Sequence, residues 1–105
     1  MHKVVYNACF GGFSLSADAV RLAKRAAGKN SAWSKVSEEY GYLGGDIERH
    51  DPILVAVVER LGKDAAGRCA ELKIAEIESN VYRIDEYDGS ESVETPSDIE
   101  WTVIK

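Results

Sequence analysis

The sequence predicts an α+β fold in which a mainly antiparallel sheet of about four strands carries two main helices on one face. Three observations predict it: a strand-like run opens the chain, two capped helical segments follow, and from Glu71 onward apolar and polar residues alternate in short runs. With 105 residues and 45% hydrophobic content, the chain is sized for one domain, 1–105, with one small core.

"KVVYNACF" is rich in strand formers and predicts a first strand over residues 3–9. After Gly11 and Gly12, Ser14 or Ser16 can cap a helix, with Asp18 near its positive end. Val20, Ala23 and Ala27 recur at helical spacing until Gly28 stops the run. Residues 29–50 mix Ser, Gly and charge with Trp33, Tyr40 and Tyr42, and leave room for one helical turn around Ser34 to Glu39. Loops of more than about 12 to 15 residues without structure of their own tend to be functional or mobile, so this segment is a candidate contact surface.

"HDPILVAVVERLG" holds the clearest element: Asp51 as N-cap, Pro52 at the first helical position, Gly62 past the end, and Ile53, Leu54, Val57, Val58 and Leu61 on one apolar face. "KDAAGRCA" adds a turn or two. Strands follow in "ELKIAEIE", "NVYRIDEYDG", "ESVETP" and "IEWTVIK". Asp88-Gly89 is a hairpin signal, Ser79 and Asn80 mark the preceding turn, and Pro96 confines its strand to an edge or an end.

Charge narrows the function classes. Six Lys or Arg stand against three acids in residues 1–45, and seven against fifteen in residues 46–105. Nucleic-acid affinity rests on clustered cations that neutralise phosphates, so the acidic second half disfavours a direct nucleic-acid ligand. No apolar run approaches the roughly 20 residues of a membrane span, and the first residues lack the pattern of an export signal, so a soluble, non-exported protein is expected. Cys9 and Cys69 do not make a disulfide framework and read as reduced thiols. Neither His2 nor His50 stands at ligand spacing from a second donor, so no metal and no cofactor is expected.

Three constellations remain as candidate sites. Between Asp85 and Glu100 lie seven acids and no Lys or Arg. On a hairpin, Asp85, Glu86, Tyr87, Asp88, Glu91 and Glu94 can present carboxylates around an aromatic to a basic partner surface, with Trp33, Tyr40 and Tyr42 as aromatic anchors. The plainer alternative is a solvated edge that discourages sheet aggregation. The second constellation is Phe10, Gly11, Gly12, Phe13 and Ser14, where a strand, a Gly pair and a helix start can expose N–H groups to a phosphorylated ligand. Without the Lys of a P-loop or the three glycines of a dinucleotide loop, this stretch equally serves close packing. A Cys9–His50 thiol dyad is a third, weaker arrangement.

"VVYNACFGGFSLS", "DIERHDPILVAVVERLG", "AAGRCAELKIAEI" and "YRIDEYDGSESV" together resemble a family of small phage- and prophage-encoded proteins whose N-terminal motif is YNAC-[FY]-GGFSLS. The resemblance covers most of the chain, least well over residues 29–43 and the last ten. It carries no catalytic or binding role for any residue. It implies a phage product in the bacterial cytoplasm, and by class-level analogy an inhibitor of a host protein in the manner of anti-CRISPR proteins. The expectation is therefore a binding protein for a basic host surface, with homo-oligomerisation open and a sequestering protein using the Gly-Gly loop as the alternative.

Overall fold

A computed structural model describes residues 1–28, 31–36, 47–96 and 104. Within them the order is β1 (His2–Asn7), α1 (Ala17–Ala27), a 3₁₀ turn (Ala32–Lys35), α2 (Pro52–Leu61), a second 3₁₀ turn (Gly62–Ala65), β2 (Leu72–Ile77), β3 (Arg83–Tyr87) and β4 (Ser90–Glu94). The α+β class and the antiparallel strands are as expected. The strands divide into two two-stranded sheets, β1–β2 and β3–β4, instead of joining in one. The expected last strand falls largely on residues 97–103, outside the described residues.

Helix α2 is the centre of the core. Asp51 caps it by accepting from the N–H groups of Ile53 and Leu54 at 2.9 and 3.1 Å, with Pro52 in the first turn and Gly62 at the end. Its buried arc runs over Leu54, Val55, Val57 and Val58, shifted toward Val55 from the wide apolar face the spacing predicts, while Ile53 and Leu61 are half-buried. A helix buried over that width is packed from more than one side. Strands β1 and β2 lie against it, and α1 packs on it through the small residues around Ala19, Val20 and Ala23. Ser16, not Ser14, caps α1, accepting from the Ala19 N–H at 3.1 Å.

Strand β1 pairs with β2 from His2↔Ile77 to Asn7↔Leu72. Val5 joins the main core cluster, and Lys3 on the same face reaches Glu59 of α2 at 3.0 Å. Beyond Asn7 the two chains stay stitched together irregularly. Ala8 N–H donates to the Glu71 carbonyl, Gly67 N–H to that of Ser14 and Ser16 N–H to that of Ala65, with a bridge at Leu15↔Ala66. Gly11 sits inside this seam. A Cβ there would lie 2.0 Å from the Cys69 carbonyl oxygen, so only glycine lets the strands approach so closely. The connection "ACFGGFSLS" thus bends at Cys9–Gly11 and packs along the segment before β2, held to it by single backbone bonds and one bridge.

Strands β3 and β4 form a hairpin in register Arg83↔Glu94 to Tyr87↔Ser90, closed by the two residues Asp88 and Gly89 with φ of 51° and 88°. Positive φ at both positions matches the right-handed strand twist and explains the Asp-Gly preference. The hairpin is not a free arm. A Cβ on Gly89 would meet the Phe10 carbonyl oxygen at 2.3 Å and the Gly12 nitrogen at 2.8 Å, so the tip is seated on the backbone of the Gly-Gly connection.

Gly89→Ala therefore combines a left-handed residue with a backbone clash. We expect a loss of at least about 1 kcal/mol, read as a fall in Tm of about 4–8 °C or more in a thermal melt. A melt within 1–2 °C of the parent, on the order of a few tenths of a kcal/mol, would show that the tip is not seated as described.

Candidate functional site

The hairpin meets the body of the protein at a buried polar junction built from Asn7, Arg49 and Glu91. Asn7 is fully buried at the end of β1. Its amide nitrogen donates to the carbonyls of Cys9 and Gly89 at 2.6 and 2.8 Å, and its side-chain oxygen accepts from the N–H groups of Glu71 and Cys9 at 2.8 and 3.3 Å. Both donors and both lone pairs are thus used. The Asn7 N–H itself donates to Glu91 Oε1 at 2.9 Å, so a carboxylate stands where a ladder carbonyl would be. This is the physical reason for two sheets: β4 joins β1 through a side chain.

Glu91 in turn receives a two-pronged contact from Arg49, at 2.5 and 2.9 Å. The Arg49 guanidinium lies 3.8 Å from the centre of the Phe13 ring. A planar, delocalised cation is suited to both contacts at once, forking to a carboxylate and stacking on an aromatic face. Arg49 also fixes its own backbone, since its carbonyl accepts from the Val5 N–H at 2.8 Å on the free edge of β1.

This junction reassigns one of the acids expected at a partner surface. Cross-strand pairing places Arg83, Asp85 and Tyr87 on one face of the hairpin with Glu94, Ser92 and Ser90, and Ile84 and Glu86 on the other with Val93 and Glu91. Glu91 thus points inward, its side chain 6% exposed, and is taken by Arg49. Glu94 is half-buried and paired with Arg83 at 2.7 Å. Asp85, Glu86, Tyr87 and Asp88 are exposed, and their three carboxylates have no ion-pair partner among the described residues. Tyr87 is 78% exposed.

Trp33, expected as an aromatic anchor, is instead a core residue at 2% exposure. Its indole N–H points to the Asp51 carboxylate at 3.4 Å, joining the first 3₁₀ turn to the cap of α2. A large apolar ring gains most by burial, and here its one polar atom finds a partner there. Tyr40 and Tyr42 lie outside the described residues.

The glycine connection is likewise used from within. Gly11 faces Cys69, Phe13 lies under Arg49, and Ser14 Oγ is 3.5 Å from the Arg68 carbonyl. Helix α1 starts at Ala17, after its own cap at Ser16, so the Gly pair does not sit at a helix N-terminus as an anion cradle requires. Phe10 alone projects outward, at 66% exposure, beside the hairpin tip.

His50 finds a partner that sequence spacing could not name. Its Nδ1 and the Tyr82 hydroxyl share a hydrogen bond of 2.7 Å, with the rings edge to face. Tyr82 borders three shallow hollows: one toward Thr95 and Pro96, one toward Glu48 and Arg49, and one toward His2 and Ile77. His50 thus lies toward the His2 end of β1, whereas Cys9 follows the opposite end. The Cys9–His50 dyad is not assembled. Among the described residues no group of three or more His, Cys, Asp or Glu side chains is placed to hold a metal ion.

Comparison of the chain with protein-family models, with curated proteins and with solved structures returns no match. The candidate site is an exposed acidic and aromatic hairpin, locked to the body by a buried ion pair.

Two predictions test this junction. Glu91→Ala leaves a largely buried guanidinium and the Asn7 N–H without their acceptor. It should cost about 3 kcal/mol in urea unfolding, with Glu91→Gln milder; a loss below about 1 kcal/mol would contradict the buried pair. The second concerns Tyr82, whose pKa lies above the ordinary value of 10.0 because burial disfavours the phenolate and Glu48 adds to this, against Arg49 and the His50 backbone. A pKa raised on folding contributes stability that is present below the unfolded value and lost as pH climbs through the folded one. Stability should then fall above pH 10, and Tyr82→Phe should remove a tyrosine that ionises above the ordinary value from an ultraviolet titration. An unchanged titration curve in that variant counts against the buried phenol.

Proposed function

We propose that this protein is a binding protein that docks on a basic surface of a partner protein through the exposed hairpin residues Asp85, Glu86, Tyr87 and Asp88. In the setting the sequence resemblance implies, it is a phage product that inhibits or modulates a host protein, by steric and electrostatic occupation of that surface. The observation that carries the reading is the division of the hairpin carboxylates. Glu91 and Glu94 have arginine partners, whereas Asp85, on the face of Tyr87, Asp88 at the turn and Glu86 on the opposite face are exposed without one among the described residues.

Unpaired carboxylates on a protein surface contribute little to folding and add self-repulsion, but they steer association with a cationic partner and select against acidic ones. Rigid mounting favours the same use. The tip is held by Asn7, by the seat on Phe10–Gly12 and by the Arg49 fork, so little ordering is needed on binding.

The test is a capture experiment from bacterial lysate at low and high salt with the parent protein and with a variant carrying Asp85→Lys, Glu86→Lys and Asp88→Lys, circular dichroism verifying the fold. The parent should hold a specific partner that salt releases, and the variant should bind that partner at least about tenfold more weakly. Equal, salt-insensitive capture by both would remove the electrostatic docking reading.

A further inference from the structure

We propose that the outward face of the β3–β4 hairpin is an arginine-selective docking surface, taking an exposed arginine of a partner protein between the Tyr87 ring and the Asp85 carboxylate, with Phe10 extending the aromatic side of the contact. This inference rests on the docking reading above and narrows it from a basic surface to one cation chemistry.

Three features of the molecule support it. Asp85 and Tyr87 alternate on one face of β3, so their side chains stand side by side at a spacing of roughly 7 Å, the span of two strand residues. A guanidinium fits between neighbours so spaced, with its edge to the carboxylate and its plane on the ring. A second exposed ring lies near the tip: Phe10 is exposed, and its carbonyl oxygen is 2.3 Å from where a Cβ on Gly89 would stand. The opposite residues Ser90 and Ser92 are small and uncharged, and the cation on this face, Arg83, is already engaged by Glu94 at 2.7 Å.

The core of the same molecule contains the occupied version of this arrangement. Arg49 forks to Glu91 and stacks on Phe13, one carboxylate and one aromatic ring serving one guanidinium. At the hairpin face the carboxylate and the ring are present and no arginine fills them. Charge complementarity then sets the occupant: Asp85 and Asp88 have no ion-pair partner among the described residues, which favours a cation, and the Tyr87 ring favours one with a planar face. Lysine meets the charge only as a compact, strongly hydrated point, whereas arginine offers the fork and the plane together.

The probes are two fluorescent peptides of equal length and net charge, four arginines in a Gly-Ser background and four lysines in the same background, titrated with the full chain in anisotropy measurements at fixed salt. The arginine peptide should bind about five- to tenfold more tightly. Tyr87→Ala should erase that preference while leaving the residual, charge-driven binding, and Tyr87→Phe should keep it, because the ring and not the hydroxyl makes the contact. Equal affinity for both peptides, or a preference that survives Tyr87→Ala, overturns the arginine inference. If both peptides bind equally and the triple lysine variant loses both, the basic-partner reading stands without arginine selectivity; if neither peptide binds the parent, both readings fall.

Discussion

The architecture depends on one ion pair placed where a strand ladder would otherwise continue. Glu91 accepts from the Asn7 backbone and from Arg49 together, and these contacts connect three parts of the chain that no regular hydrogen-bond ladder joins: β1, the segment before α2, and the hairpin. Removing two charges from water is expensive, and attraction between them repays it only where geometry is good and the remaining polar atoms are satisfied. Both conditions hold here. The fork is two-pronged, the guanidinium has Phe13 beneath it, and the neighbouring Asn7 amide has all its partners. Such a junction orients the hairpin more sharply than an apolar contact would, because fork and amide accept few alternative geometries.

Much of this fold was legible in the sequence because its local signals agree with the tertiary outcome. Asp51, Pro52 and Gly62 bound α2 where capping chemistry requires, and Asp88-Gly89 closes β3 on β4 in the turn those residues favour. Among the described residues the four strands stand as two pairs because strand pattern specifies alternation and not which edges meet. The edge of β1 is instead taken at Val5 by the Arg49 carbonyl and at Asn7 by a carboxylate. No periodicity signals a side chain standing in for a backbone acceptor.

The site was legible only in part, for the same reason. A run of acids in sequence does not say which of them will find an arginine: Glu91 differs from Asp85 by the face that folding gives it, and Glu94, on the face of Asp85, by standing opposite Arg83. The one available hint is alternation: counting outward from Asp88-Gly89 places Glu91 opposite Glu86, on the face away from Tyr87. Trp33 shows the converse, an aromatic in a polar stretch whose burial follows from packing against elements distant in sequence. His50 and Tyr82, separated by thirty-two positions, meet because the turn at Ser79 directs β3 back past the segment before α2.

The seating of the hairpin tip has an evolutionary side. The groups that hold it are the Gly89 backbone, the Asn7 amide and the inward Glu91, whereas the outward side chains of β3 take no part in that attachment. Residues 85, 87 and 88 can therefore be exchanged with small effect on folding, provided the substitute at 88 tolerates a left-handed backbone. The framework of the hairpin and the surface proposed for docking are carried by different atoms, so that surface can drift in sequence while the scaffold stays under selection for stability.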